Sequence, residues 1–236
     1  MDCPPEHALD RMPHWNDKFE VEEAEDLASF NMKMGYEIAK CGGVVVSGLT
    51  YGIDAAGAEG ALTAGGKVIG VLGTPHERDN SRLAKDVLKN GALISEYPPG
   101  TQPINSFFRA RNRISAGLSV GVVVVEAPEK SGARLFANEA ADQGKEIFAI
   151  PGNADALNCV GTNSLLKEGA KPVTDGWEVM CEFEALFPGK ISHTRDMTMP
   201  EEKAKEITAP PADSEHKPEK ATKKVIDKLR DKSYID

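Results

Sequence analysis

Arginine stands at every second position in Phe108-Arg109-Ala110-Arg111-Asn112-Arg113, shortly before the apolar run of residues 120–127. A guanidinium stays charged at any physiological pH and offers paired N–H donors that match the oxygens of a phosphate, so a cluster of three points to anion binding. If the segment is extended, its period of two puts all three on one side. If it is helical, Arg109 and Arg113 share a face at i, i+4 and Arg111 points away. The start of a helix repels cations, which makes three arginines there a poor structural choice unless an anion sits among them. The competing reading is a solvated basic face with acidic neighbours. Phe107 and Phe108 beside them are either core or, for one of the two, a platform for a stacked base.

Two other segments carry the same chemistry. In residues 44–54, Ser47 and Gly48 end an apolar run, and Tyr51 and Gly52 lead into a helical pattern. Glycines let backbone N–H groups approach a phosphate closely, and the new helix adds the positive end of its dipole. Two glycines fall short of the full dinucleotide fingerprint, and no acid closes the next strand to hold a ribose, so a tight structural turn and a phosphate site both remain open. In residues 126–140, Glu126 ends a strand and Lys130, Ser131 and Gly132 open a helix, with Arg134 in its first turn. Ser131 is a natural N-cap, and capping alone accounts for it unless it shares a rim with the other two segments.

Catalytic chemistry finds little support. The five histidines (His7, His14, His76, His193, His216) lie mostly near the ends of the chain. No nucleophile elbow, metal-ligand spacing or Walker loop appears, and Asp54 and Glu126 as helix-start and strand-end acids are more often structural. A binding protein without cofactor or metal is expected, not an enzyme.

The elements that must position these residues alternate. Apolar, glycine-bounded runs at 42–48, 67–73, 92–97, 120–127 and 146–152 are followed, the third after a Pro/Gly loop, by helical spacing, with further helices at 163–170 and 176–187 and a short extended stretch at Lys171. Nearly continuous Val/Ile runs mark strands buried on both faces, as crossover helices make them in parallel sheets. Ligands of such sheets collect at the carboxyl ends of the strands, where all three candidate segments fall. The spacing predicts an α/β, doubly wound, mostly parallel sheet over 27–187.

The net charge of −9 is concentrated in front: residues 1–26 hold nine acids and two bases, leaving −2 for the rest. The acidity therefore says little about partners of the sheet domain. Residues 1–26 read as an acidic, largely solvated segment, 188–222 as a linker too poor in apolar groups to fold, and 223–236 as a short terminal segment, the whole tail being disordered. Four cysteines without metal or redox spacing suit a reduced, cytoplasmic chain. No apolar run approaches the roughly 20 residues of a membrane span.

The stretches Ser47-Gly48-Leu49-Thr50-Tyr51-Gly52-Ile53-Asp54, Ser95-Glu96-Tyr97-Pro98-Pro99-Gly100, Phe108-Arg109-Ala110-Arg111-Asn112-Arg113-Ile114 and Val125-Glu126-Ala127 with Ser131-Gly132, in this order, resemble the DprA/Smf family of DNA-processing proteins. The resemblance covers about residues 28–187. It implies an extended Rossmann-like fold that binds single-stranded DNA, helps load the RecA recombinase during natural transformation, forms a homodimer and catalyses nothing known. It places Gly48, Tyr51, Gly52, Arg109, Arg111, Asn112, Arg113, Lys130, Ser131 and Gly132 in the DNA/phosphate-binding pocket. The sequence departs from the family in one large respect. Members have an apolar strand ending in Gly-Ser-Arg well before the Ser-Gly-Leu turn, and here that region reads HWNDKFEVEEAEDL, so one strand and one phosphate ligand are expected to be missing. The loop after residue 73 is also shorter, Phe136 replaces a common threonine, and the tail stops before the winged-helix-like domain of many members. Two rival readings follow: a related nucleotide-monophosphate enzyme, although the Pro-Gly-Gly-x-Gly-Thr of phosphoribohydrolases is absent, or a member that has lost DNA binding.

Overall fold

The structure, a computed structural model, describes residues 15–76, 79, 81–193 and 197–200. Its strands are β1 (Val44–Ser47), β2 (Lys67–Leu72), β3 (Ala92–Ser95), β4 (Gly121–Val124), β5 (Glu146–Ala149) and β6 (Lys171–Pro172). The helices are α1 (Trp15–Lys40), α2 (Ile53–Thr63), α3 (Arg82–Asn90), α4 (Asn105–Ala110), α5 (Asn112–Leu118), α6 (Gly132–Asp142), α7 (Val160–Lys167) and α8 (Gly176–Cys181). Strand pairing is parallel throughout, in two sets, β1-β2-β3 and β4-β5-β6.

Alternation along β4 shows why the valine run is a strand. Val122 and Val124 enter a core with Ala116 of α5, Ala137 and Ala140 of α6 and Leu165 of α7. Val123 faces the other way, against a core of Phe148, Met34 of α1 and Val179 of α8. Side chains of period two thus bury both faces, and helices cover each, which makes the fold Rossmann-like and doubly wound. A third core joins Ala58 and Ala61 of α2, Val68 of β2 and Val87 of α3.

α1 crosses the expected boundary between residues 26 and 27 and packs along α2. Their backbones meet at glycine: a Cβ on Gly35 would lie 2.0 Å from the Gly57 carbonyl oxygen, and one on Gly60 would lie 1.9 Å from that of Met32. Buried Glu37 then ties α1 to α8, its Oε2 accepting from the Gly176 amide at 2.7 Å, with Lys33 Nζ at 3.6 Å from Oε1. Beyond α8, the Ser192 amide donates to the Cys41 carbonyl at 3.2 Å. Burial pushes the Cys41 thiol up to about 11, reinforced by the negative charge of Glu37, so it is a core group and not a reactive one. Among the described residues, no helix is long and apolar enough to cross a membrane. Residues 1–14 and 201–236, which include most of the expected acidic front and linker and all of the terminal segment, lie outside the described residues.

The α1/α2 crossing leaves no room for a methyl group against backbone. Gly60→Ala is expected to cost about 1–3 kcal/mol or more through overpacking. Gly117→Ala, where the nearest atom is Gln143 Oε1 at an ordinary 3.5 Å, is expected to be neutral or stabilising. Urea unfolding of both variants checks this, and equal stabilities would contradict it.

Candidate nucleic-acid interface

At the carboxyl end of β1, the Ser47 hydroxyl accepts from the Leu49 amide at 3.0 Å and donates to the Asp54 carbonyl at 2.9 Å. These bonds tie the turn to both the strand and the first turn of α2. Leu49 takes a left-handed φ of 52° while its side chain packs toward the Val68 core. Gly52, at φ 102°, precedes α2 without a side-chain cap; the Ala55 amide turns back to the Thr50 carbonyl at 3.1 Å and the Ala56 amide donates to that of Gly52 at 3.0 Å, which leaves the Ile53 and Asp54 amides to face the rim. Tyr51 projects beside them, 86% exposed.

The arginines lie on a helical path. α4 and α5 meet at Arg111, whose amide donates to the Phe107 carbonyl at 2.9 Å and whose φ and ψ of −58° and −32° are helical. The helical alternative holds and the extended one does not: Arg109 and Arg113 are exposed while Arg111 turns inward. The guanidinium of Arg111 lies on Gly48, where a Cβ would stand 1.8 Å from Nη1, and Nη1 donates to the Val71 carbonyl at 2.8 Å. Its Nε is buried without a partner among the described residues. Burial lowers the Arg111 pKa and the Asp54 charge raises it. In turn, desolvation raises the Asp54 carboxyl above its ordinary 3.8, partly offset by Arg111, although the residue keeps an exposed surface.

Of the other two arginines, Arg113 pairs closely with Glu96 at the end of β3. Its carbonyl accepts from Gln143 Nε2 at 3.2 Å, which links α5 to α6. Arg109 has no carboxylate partner among the described residues. The three guanidiniums therefore have three environments: one inserted, one paired and one open. Phe107 stacks on Tyr97 with ring centroids 3.9 Å apart. Phe108 packs against Gly73 yet stays 42% exposed. Asn112 is half-buried at the start of α5.

On the other half of the sheet, beyond the end of β4, Ser131 caps α6 as the sequence suggested, accepting from the Arg134 amide at 3.2 Å. Lys130 and Gly132 are exposed, and open space surrounds the position a Gly132 Cβ would take. Arg134 is balanced by Glu168 at 2.5 Å. Sequence reasoning missed Glu96 as the partner of Arg113 and the Val71 carbonyl as the anchor of Arg111. The first lies inside the quoted Ser-Glu-Tyr-Pro-Pro-Gly motif, whereas nothing local signals the second. Among the described residues, no group of three His, Cys, Asp or Glu side chains is placed to hold a metal.

Parallel strands wrapped by helices, with glycine turns and helix starts at their carboxyl ends, define a Rossmann-like protein. The chain belongs to the family described as DNA recombination-mediator protein A, whose pattern it matches over residues 23–184. It is 45% identical over 146 residues to the DNA processing protein DprA of Streptococcus pneumoniae, covering 60% of this chain and 51% of that one. Similarity to the Bacillus subtilis DprA is 40% over 162 residues, 67% of this chain and 54% of the relative. The chain thus spans about half the length of the curated relatives it matches. An X-ray structure of the S. pneumoniae DprA superposes with a TM-score of 0.61 at 39% identity, over 66% of this chain and 57% of that one. A Helicobacter pylori DprA structure, described for its unique single-stranded DNA binding mode, gives a TM-score of 0.59 at 28% identity, over 67% and 74%.

Two outcomes follow from this geometry. Gly48→Ala is expected to expel the Arg111 guanidinium and destabilise the fold by about 1–3 kcal/mol. A thermal melt with unchanged midpoint would contradict the insertion. Because the folded chain raises the Asp54 pKa, this group favours folding most below 3.8, and that contribution is lost as pH rises through the raised value. Asp54→Asn is therefore expected to be more stable than the parent at pH 7, with the difference closing at pH 3.5. Urea titrations at the two pH values measure it, and equal or lower stability at pH 7 would contradict it.

Proposed function

We propose that this protein binds single-stranded DNA along the carboxyl rim of its sheet. The observation that carries the reading is the joining of the Gly48 turn, the open start of α2 and the α4–α5 arginines into one positively biased edge, through the insertion of Arg111. Arg109 and Lys130 offer exposed charges to phosphates, and Arg113 does so by exchanging its Glu96 partner. Arg111 adds charge from below the turn. Gly52, Ser131 and Gly132 supply backbone donors, Asn112 a polar contact, and Tyr51 a face for a base, with Phe108 as a second aromatic surface. Such a site reads backbone and stacking and little of the sequence.

The recombination-mediator family supports a wider reading: the protein loads RecA onto incoming strands in natural transformation, works as a homodimer in the cytoplasm and is a binding protein without a catalytic step. The relatives named for DNA processing and the neighbour described for single-stranded DNA binding favour it over a nucleotide-phosphate enzyme.

Fluorescence anisotropy with a dT oligomer tests the site. Replacing both Arg109 and Lys130 with Ala is expected to weaken binding and to flatten the plot of log K against log salt by about one for each phosphate no longer neutralised. An unchanged affinity and slope would contradict a role for these two side chains. Binding of AMP in preference to the oligomer would overturn the DNA reading.

A further inference from the structure

Among the described residues, two large apolar side chains are more open to water than all others: Tyr51 at 86% and Leu157 at 83%, against 68% for Leu186, which follows them. Tyr51 stands beyond the carboxyl end of β1. Leu157 opens a 3-10 turn, Leu157–Cys159, in the loop from β5 to α7, so it too lies beyond the carboxyl end of a strand. A single exposed leucine is ordinary on a protein surface. This one belongs to none of the three cores and is carried by a loop that is braced at both ends.

The first brace is Asn163 of α7. Its Oδ1 accepts from the Gly152 amide at 3.3 Å, and its Nδ2 donates to the carbonyls of Gly152 at 3.1 Å and Asn153 at 3.4 Å. The loop then closes on itself, the Ala156 amide donating to the Asn153 carbonyl at 3.2 Å and the Cys159 amide to that of Ala156 at 3.0 Å. The second brace is the chain beyond β4. The Ala127 amide donates to the Asn158 carbonyl at 2.9 Å, and the Gly161 amide donates to the Ala127 carbonyl at 2.6 Å. Gly161 lies so close that a Cβ would stand 2.5 Å from the Ala127 oxygen. The neighbour of Leu157 is thus pinned to Ala127, in the same loop that carries Lys130 and Ser131.

Charge limits what this loop can meet. Residues 151–159 hold no lysine, arginine or histidine and one acid, the exposed Asp155. A phosphate finds no cation there and is repelled by Asp155. A base offers a flat, uncharged face, against which an apolar side chain packs. In a duplex that face is covered by stacked neighbours, so an unpaired, splayed base presents it and a paired one does not.

We propose that Leu157 is a base-contacting residue that carries the DNA interface past Lys130 to the end of β5 and favours single strands over duplex. The inference rests on the reading of the carboxyl rim as a single-stranded DNA site. The sugar-phosphate chain follows Lys130 and the arginines, while Tyr51 and Leu157 each take the face of a base, one beside each set of strands. Because the loop is already fixed by its two braces, little ordering remains to oppose the contact.

Fluorescence anisotropy with three probes of equal length tests it: a dT oligomer, an abasic sugar-phosphate chain and a duplex. Leu157→Ala is expected to weaken dT binding by about fivefold and to leave the abasic chain and the duplex unchanged. The slope of log K against log salt is expected to stay as in the parent, since no phosphate contact is lost. Leu157→Met keeps an apolar side chain and is expected to bind dT as the parent does. Three results would overturn the proposal: unchanged dT affinity in Leu157→Ala, an equal loss on the abasic chain, or a loss in Leu157→Met as large as in Leu157→Ala. If replacing Arg109 and Lys130 weakens dT binding while Leu157→Ala does not, this inference fails and the rim site stands; a parent chain that does not bind dT sinks both.

Discussion

The interaction on which the rest depends is the Arg111 guanidinium lying on Gly48 and donating to the Val71 carbonyl. It locks the helices that lead into β4 onto the ends of β1 and β2, so a residue type expected to face an anion becomes instead the clamp that builds the rim. The insertion needs a missing Cβ at position 48 and a carbonyl at the end of the adjacent strand. Its cost is a guanidinium taken largely out of water, visible as a lowered Arg111 pKa, with Asp54 nearby as counter-charge. The arrangement also explains the unequal roles of the three arginines. Only Arg109 and Arg113 have the exposure to meet a ligand, and Arg113 does so at the expense of Glu96.

Much of the fold was legible because parallel strands covered on both faces have few residue choices. The Val44–Val46 and Val122–Val124 runs are strands on sight, and Ser131 marks a helix start that the structure caps with its hydroxyl. α1 was less legible, because its first half is rich in acids without an apolar repeat and reads as solvated chain. At the rim, residue types were readable and pairings were not. The Arg111 hydrogen bond joins positions 40 apart in sequence and the Arg113–Glu96 pair positions 17 apart. Charge alone cannot distinguish a guanidinium that lies over a glycine from one that waits for phosphate.

Among the described residues the strands pair in two sets, β1-β2-β3 and β4-β5-β6. The two halves share α1 and α5, and buried cores form on both sides. This pairing also places the two groups of candidate ligands, Gly48 to Arg113 and Lys130 to Gly132, on opposite halves of one interrupted rim.

The central claim is that a polyanionic strand lies along that rim. Titrating a dT oligomer into the isotopically labelled chain and following backbone amide chemical shifts locates the binding surface directly. The account predicts the largest shifts at Gly48–Asp54 and Ser131–Arg134, together with Arg109 and Arg113. Shifts confined to the opposite, amino ends of the strands, or none at low salt, would contradict it.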